Sequence, residues 1–183
     1  MNLLRYKFLF LILTCLAACN QDVRGKHGEV YKSATDYNDY IVGRQTIVMK
    51  DVMEFVDVSQ HDLDSAELIL ERTIGKIDRM INEIRQMPAY KGDSVLRDAA
   101  VASFGFYKKI FGDEYKQLIS IRRSGRAESA DGIAEMNRIV AQITRNEEQY
   151  DKAFHDAQRD FAKRNNMRLK ENEMQDDINK LND

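Results

Sequence analysis

The sequence predicts an all-α protein, an up-down-up-down four-helix bundle, and three observations carry that prediction. Apolar residues recur at steps of three and four along most of the chain. A single proline among 183 residues leaves little to interrupt a helix. Runs of alternating β-branched and polar residues, the mark of a half-buried strand, are nearly missing. Four long apolar stripes with short polar breaks between them match a bundle joined by tight loops.

The first helix is expected to begin at Ser33 or Thr35, whose hydroxyls can accept from free backbone N–H groups, with Asp36 favourably placed at the positive helix end. Its stripe is Tyr37, Ile41, Val48, Val52 and Phe55, widened by Tyr40, Ile47 and Val56, and it should end between Ser59 and His61. Asp62 or Asp64 then caps a second helix on Leu63, Ala66, Leu70, Ile74, Ile77, Ile81 and Ile84, which Pro88 stops. The loop from Pro88 to Gly92 leads to a third helix capped by Asp93 or Ser94, with Val95, Ala99, Ala102, Phe106 and Ile110 inward. That stripe slips at Gly112 and resumes as Tyr115, Leu118, Ile119 and Ile121, and Gly125 suits the left-handed residue after a helix end. The fourth helix starts at Glu128 or Ser129 and carries the most regular pattern: Ile133, Met136, Val140, Ile143, Glu147, Tyr150, Phe154, Ala157 and Phe161. The bundle therefore covers residues 33–165, and residues 166–183 form a charged tail, either a frayed helical extension or disordered.

Ahead of the bundle, Arg5 and Lys7 precede an uncharged apolar run from Phe8 to Cys15, and Asn20, Gln21, Asp22 and Arg24 end the apolar character at once. The run is too short for a bilayer span, which takes roughly 20 apolar residues, and reads as a signal peptide. Leu16-Ala17-Ala18-Cys19 stands at its end: an aliphatic residue, two small residues and a cysteine, the pattern of a bacterial lipobox. Residues 1–18 are accordingly expected to be cleaved and Cys19 to carry lipid, palmitate among its chains; the alternative is an ordinary signal peptide cut at Ala18 with a free thiol at Cys19. With Cys15 removed, Cys19 is the one remaining cysteine, so no disulfide framework is available. Two acyl chains suffice for stable attachment. Residues 19–32 read as a short flexible tether, polar with Gly25 and Gly28. Asn20 after the cysteine favours the outer membrane under enterobacterial sorting, with the domain either periplasmic or surface-facing.

Tyr37-Asn38-Asp39-Tyr40-Ile41-Val42, Pro88-Ala89-Tyr90-Lys91-Gly92-Asp93, Asp98-Ala99-Ala100 and Phe106-Tyr107-Lys108 together resemble a family of uncharacterised bacterial surface lipoproteins found in spirochaetes and Bacteroidota-type bacteria. The resemblance implies a helical envelope domain and, because that family is described by location, no catalytic residues to carry over.

The net charge of −2, which becomes −4 once residues 1–18 are removed, argues against a nucleic-acid partner, as does export. No Glu-x-x-His, His-Glu-x-x-His or paired cysteines occur, so neither a di-iron nor a zinc site is expected, and no cofactor is assigned. Serine-histidine-aspartate sets and phosphate-cradling glycine loops leave no signature either. Two candidate sites remain. Glu147 interrupts the apolar seam of the fourth helix and His155 lies beside that seam, a candidate buried polar site that is either functional or a register-setting pair. In an up-down-up-down bundle His61, Asp62 and Asp64 should share a face with Arg122, Arg123 and Arg126, pointing away from the anchoring membrane; that face is either helix capping or a contact site for a partner or anionic ligand. At the tether end Tyr37, Tyr40 and Tyr90 suit either a headgroup boundary or a plug for the core. The expectation is a non-enzymatic, membrane-anchored structural or interaction protein, with an envelope protein as candidate partner. The alternative is a bundle that binds metal, haem or lipid.

Overall fold

The computed structural model describes residues 22–26 and 28–169; the predicted signal peptide, Cys19, His27 and the tail from Lys170 to Asp183 lie outside the described residues. Two short strands come first, β1 (Val23–Arg24) and β2 (Val30–Tyr31), paired antiparallel with Val23 opposite Tyr31. The helices are α1 (Ala34–Ser59), α2 (Leu63–Arg85), α3 (Val95–Lys109), α4 (Tyr115–Arg123) and α5 (Ala130–Arg164). A π-helical turn, Ile110–Glu114, joins α3 to α4, so the two form one long rod and the architecture is an all-α bundle of four rods.

Local chemistry sets the helix starts. Ser33 caps α1 by accepting from the Asp36 N–H (3.1 Å), and the Asp36 carboxylate in turn accepts from the Lys32 N–H (3.1 Å). Asp62 caps α2, accepting from the N–H groups of Asp64 (3.1 Å) and Ser65 (3.0 Å). Ser129 caps α5 through the Gly132 N–H at 3.1 Å. Gly132 is required there, since a Cβ would stand 1.9 Å from the Arg126 carbonyl oxygen. Ser94 occupies the cap position of α3 but makes no cap bond; Asp93 accepts from the Val95 N–H instead, at 2.9 Å.

The expected stripes of α1 and α2 largely form the core: Tyr37, Ile41, Val48 and Phe55 are buried, as are Ala66, Leu70, Ile77, Ile81 and Ile84. Ile47 and Val56 are exposed, so the α1 stripe is narrower than predicted. The third rod departs further. Phe106 and Ile110 are buried as expected, but Val95 and Ala102 face solvent, and Leu96, Ala100, Phe104, Tyr107 and Phe111 join the buried set. From Tyr107 the inward positions advance by four, through Phe111 and Tyr115 to Ile119, and each such step drifts about 40° on an ideal helix. The wider π turn at Ile110–Glu114 absorbs that drift, which gives the slip expected at Gly112 its structural cause. On α5, Ile133, Val140 and Tyr150 are exposed while Ile139, Ile143, Phe154, Ala157 and Phe161 are buried.

Helices α1 and α2, α2 and α3, and α3 and α5 pack closely along their lengths. The α1–α5 seam is made by side chains near the chain's start, where Tyr37 stacks on Phe161 (5.6 Å between centroids) and Gln158 donates to Asn38 Oδ1 (2.8 Å). Tyr31, Tyr37, Tyr90 and Phe161 gather here, all buried, so the tyrosines plug the core. Tyr40 sits at the margin with the Arg44 guanidinium 3.4 Å above its ring. The prediction of a flexible tether is therefore corrected for its second half: the hairpin β1–β2 is tied down because Tyr31 enters this aromatic cluster.

Candidate functional site

The residues of the expected mixed-charge face lie at the end of the bundle opposite the tyrosines, and most of their polar groups, though exposed, bond to neighbouring parts of the fold. Arg122 donates to the carbonyl oxygens of Ser59 and Gln60 and so satisfies the free C-terminal end of α1. Arg123 spans Asp64 (2.5 Å) and Glu67 (2.8 Å) of α2. Arg126 reaches Glu135 of α5 at 2.6 Å, away from the aspartates. The carboxylate of Asp62 is held below its ordinary value by hydrogen bonds from the Ser65 hydroxyl, the Ser65 N–H and the Asp64 N–H, the work of a cap. His61 is exposed.

The second predicted site is rearranged. Glu147 does project into the seam between α5 and α3, but its partner is Tyr107, whose buried hydroxyl donates to it at 3.1 Å. His155 does not join Glu147: it is exposed, and its Nδ1 lies 2.8 Å from the Asp151 carbonyl oxygen one turn back. The group that joins instead is Asp151. Burial, then the charge of Asp151, raises the Glu147 carboxyl above its usual range, and the Tyr107 hydrogen bond offsets part of that rise. Burial raises Asp151 as well, partly offset by His155. Neither carboxylate forms an ion pair with a lysine or arginine among the described residues. Burial also pushes Tyr107 up, and Tyr115, which the Glu147 charge disfavours too, to about 12. The cluster is thus a hydroxyl and two reluctant carboxylates in a half-buried seam, able to hold protons or a cationic group. It lacks an oriented base and nucleophile pair among the described residues. Likewise no three His, Cys, Asp or Glu side chains there stand close enough to hold a metal ion.

Two polar sites escaped the sequence reading. Asp51, 5 % exposed, lies on the inward face of α1 and is held by Lys76 of α2 at 2.8 and 2.9 Å. Its signal was an acid one turn from Val48 and Phe55 on the same stripe. Glu114 is buried in the π turn with one carboxylate oxygen lacking a hydrogen-bond partner, and Lys109 stands 3.8 Å from the other. It borders an open groove of about 570 Å³ between the third rod and α5, with Lys116, Gln117 and Gln142 along its walls. The phase shift at Gly112 was its only trace in the sequence.

No protein-family model matches the chain, and no curated protein and no solved structure matches it either.

Proposed function

We propose that the chain is a lipoprotein of the bacterial envelope, acylated on Cys19 and held at the outer membrane, with a bundle that serves a structural or protein-interaction role and is not an enzyme. The observation that carries this reading is Leu16-Ala17-Ala18-Cys19 directly behind a basic and apolar leader. Attachment through lipid fits a chain in which, among the described residues, no helix is long and apolar enough to cross a membrane. An interaction or structural role is supported by the use of the polar groups, which serve as caps and ion pairs at the charged end and across α1 and α2. The test is the mass of the mature N-terminal peptide together with detergent-phase partitioning. Wild-type protein should carry acyl chains on Cys19 and enter the detergent phase, and Cys19→Ser should do neither. An unmodified wild-type chain that stays in the aqueous phase overturns the reading.

The Tyr107–Glu147–Asp151 cluster favours one alternative, a bundle that binds a ligand in its interior. Metal analysis and an absorption spectrum of the purified protein test it, since a stoichiometric metal or a chromophore would establish it over the first reading.

A further inference from the structure

The two ends of the bundle carry opposite charge. The tyrosine end is built from residues 22–36, 85–98 and 159–169, which hold ten Arg and Lys side chains against six Asp and Glu, a net charge of +4. The far end, residues 56–68 and 118–135, holds three against seven, a net charge of −4.

Pairing leaves unpaired cations in excess at the tyrosine end: three of its acids are internally engaged, and among its cations Arg97, Arg159 and Arg164 are paired, Arg159 with Asp156. Asp36 accepts from the Lys32 N–H, Asp93 pairs with Arg164 at 2.7 Å, and Asp98 pairs with Arg97 at 2.9 Å. Arg24, Lys26, Lys32, Lys91, Lys163 and Arg168 are all exposed and form no ion pair among the described residues. The fold brings their three segments together at one end of the bundle, where Tyr31, Tyr90 and Phe161 meet around Tyr37. Tyr31 docks the hairpin, a two-residue turn holds Lys91 in the left-handed region (φ 51°), and the Met167 N–H bonds back to the Ala162 carbonyl, so that Arg168 follows directly. Val30 and Leu169 are exposed apolar side chains on the same segments.

We propose that this end binds anionic lipid headgroups and seats the bundle end-on against its own bilayer. The inference rests on the anchoring reading above. An acylated Cys19 would stand four residues from Val23, at most about 14 Å along the chain, so this end would lie within reach of the headgroup potential. Cations on long flexible stems with a few apolar neighbours match a diffuse, negatively charged, partly apolar surface. They match a protein partner less well, because the large rings that would anchor one are buried in the plug. Residues 170–183 continue from this end with a net charge of −3 and would offset part of the attraction, so the test retains them.

The mature chain from Cys19 to Asp183, produced without acylation, is sedimented with vesicles of phosphatidylcholine alone or with roughly 30 % phosphatidylglycerol. The expected result is binding at least about tenfold stronger to the anionic vesicles, returning to the neutral level near about 0.5 M salt. Lys26→Glu/Lys91→Glu/Arg168→Glu should abolish the preference. The control Lys50→Glu/Arg138→Glu/Arg145→Glu changes the net charge equally on exposed residues of α1 and α5 and should retain most of it, with circular dichroism confirming equal helix content in both. No preference for anionic vesicles, equal loss in both variants, or capture of this end by an envelope protein while vesicles fail to bind would each overturn the inference. Acylation is read separately from the mass of Cys19. An acylated protein whose unacylated form ignores anionic lipid removes this inference alone, and an unacylated protein that still prefers anionic lipid removes the anchoring reading alone.

Discussion

The two ends of the bundle solve the same problem by different physics. Each must cover the cross-section of an apolar core and satisfy the backbone groups left free where helices stop. At the tyrosine end, rings do both: Tyr37 is fully buried between Tyr31, Tyr90 and Phe161, and its hydroxyl donates to the Pro88 carbonyl at 2.9 Å. At the other end arginines reach across to carbonyls and carboxylates, and the side chains that do so remain partly in water. Apolar closure should therefore be strong and indifferent to salt, and ionic closure weaker and screened by it.

The largest effect expected is from Tyr37→Ala, which removes three ring contacts and opens a cavity, at a cost of about 3 to 5 kcal/mol in urea denaturation. Tyr37→Phe, which loses the Pro88 hydrogen bond alone, should cost about 1 kcal/mol. A Tyr37→Ala cost no greater than that of Tyr37→Phe would break the comparison. Base should attack the same end. Burial raises Tyr37 to about 12 from an unfolded value of 10.0, so its contribution is complete below about 10 and lost as pH rises through about 12. Tyrosinate absorbance and helix content should consequently change together in that window.

Arg122→Met should cost about 1 kcal/mol at low ionic strength and less at about 0.5 M salt, because it leaves the Ser59 and Gln60 carbonyls to water. Between the ends, Glu147→Gln with Asp151→Asn should stabilise the protein near pH 7, read as a higher midpoint of urea denaturation, because burial disfavours both charged carboxylates. Both folded-state values are raised, so the stability these carboxyls supply is complete below their unfolded values of 4.5 and 3.8 and declines as pH rises through the folded ones. The double variant should flatten the pH profile of stability over that window. Asp62 has the opposite sign: its lowered value makes its contribution present above 3.8 and lost as acid protonates the folded form. Arg123→Ala should be the smallest effect, a loss visible at low salt and erased at high salt, since its partners are surface carboxylates.

Helix starts were legible because their causes are local. Ser33, Asp62 and Ser129 each sit within three residues of the N–H groups they satisfy, and each is the cap that the structure uses. The α2 stripe was legible because it faces neighbours on both sides, so nearly every apolar position finds cover. The α5 stripe was legible only in part, at Ile143, Phe154, Ala157 and Phe161, although its pattern is the most regular in the chain. Its first half carries Ile133 and Val140 away from α3, on a flank where α1 is not closely packed, and periodicity cannot tell a covered flank from an open one. Glu147 stood out as a polar interruption, but its hydrogen-bond donor lies 40 residues away on another rod.

By itself, then, the sequence determined the all-α class, the four rods and their caps, because hydrophobic period and hydrogen bonds between near neighbours are properties of short segments. The tertiary structure alone decided that the leading hairpin is pinned by Tyr31, that the third rod takes a π turn, that Asp51 is answered by Lys76, and that charge is divided between the two ends. Each of these depends on which distant side chains meet, and how far a ring, a carboxylate or an arginine must reach is set only once the rods have packed.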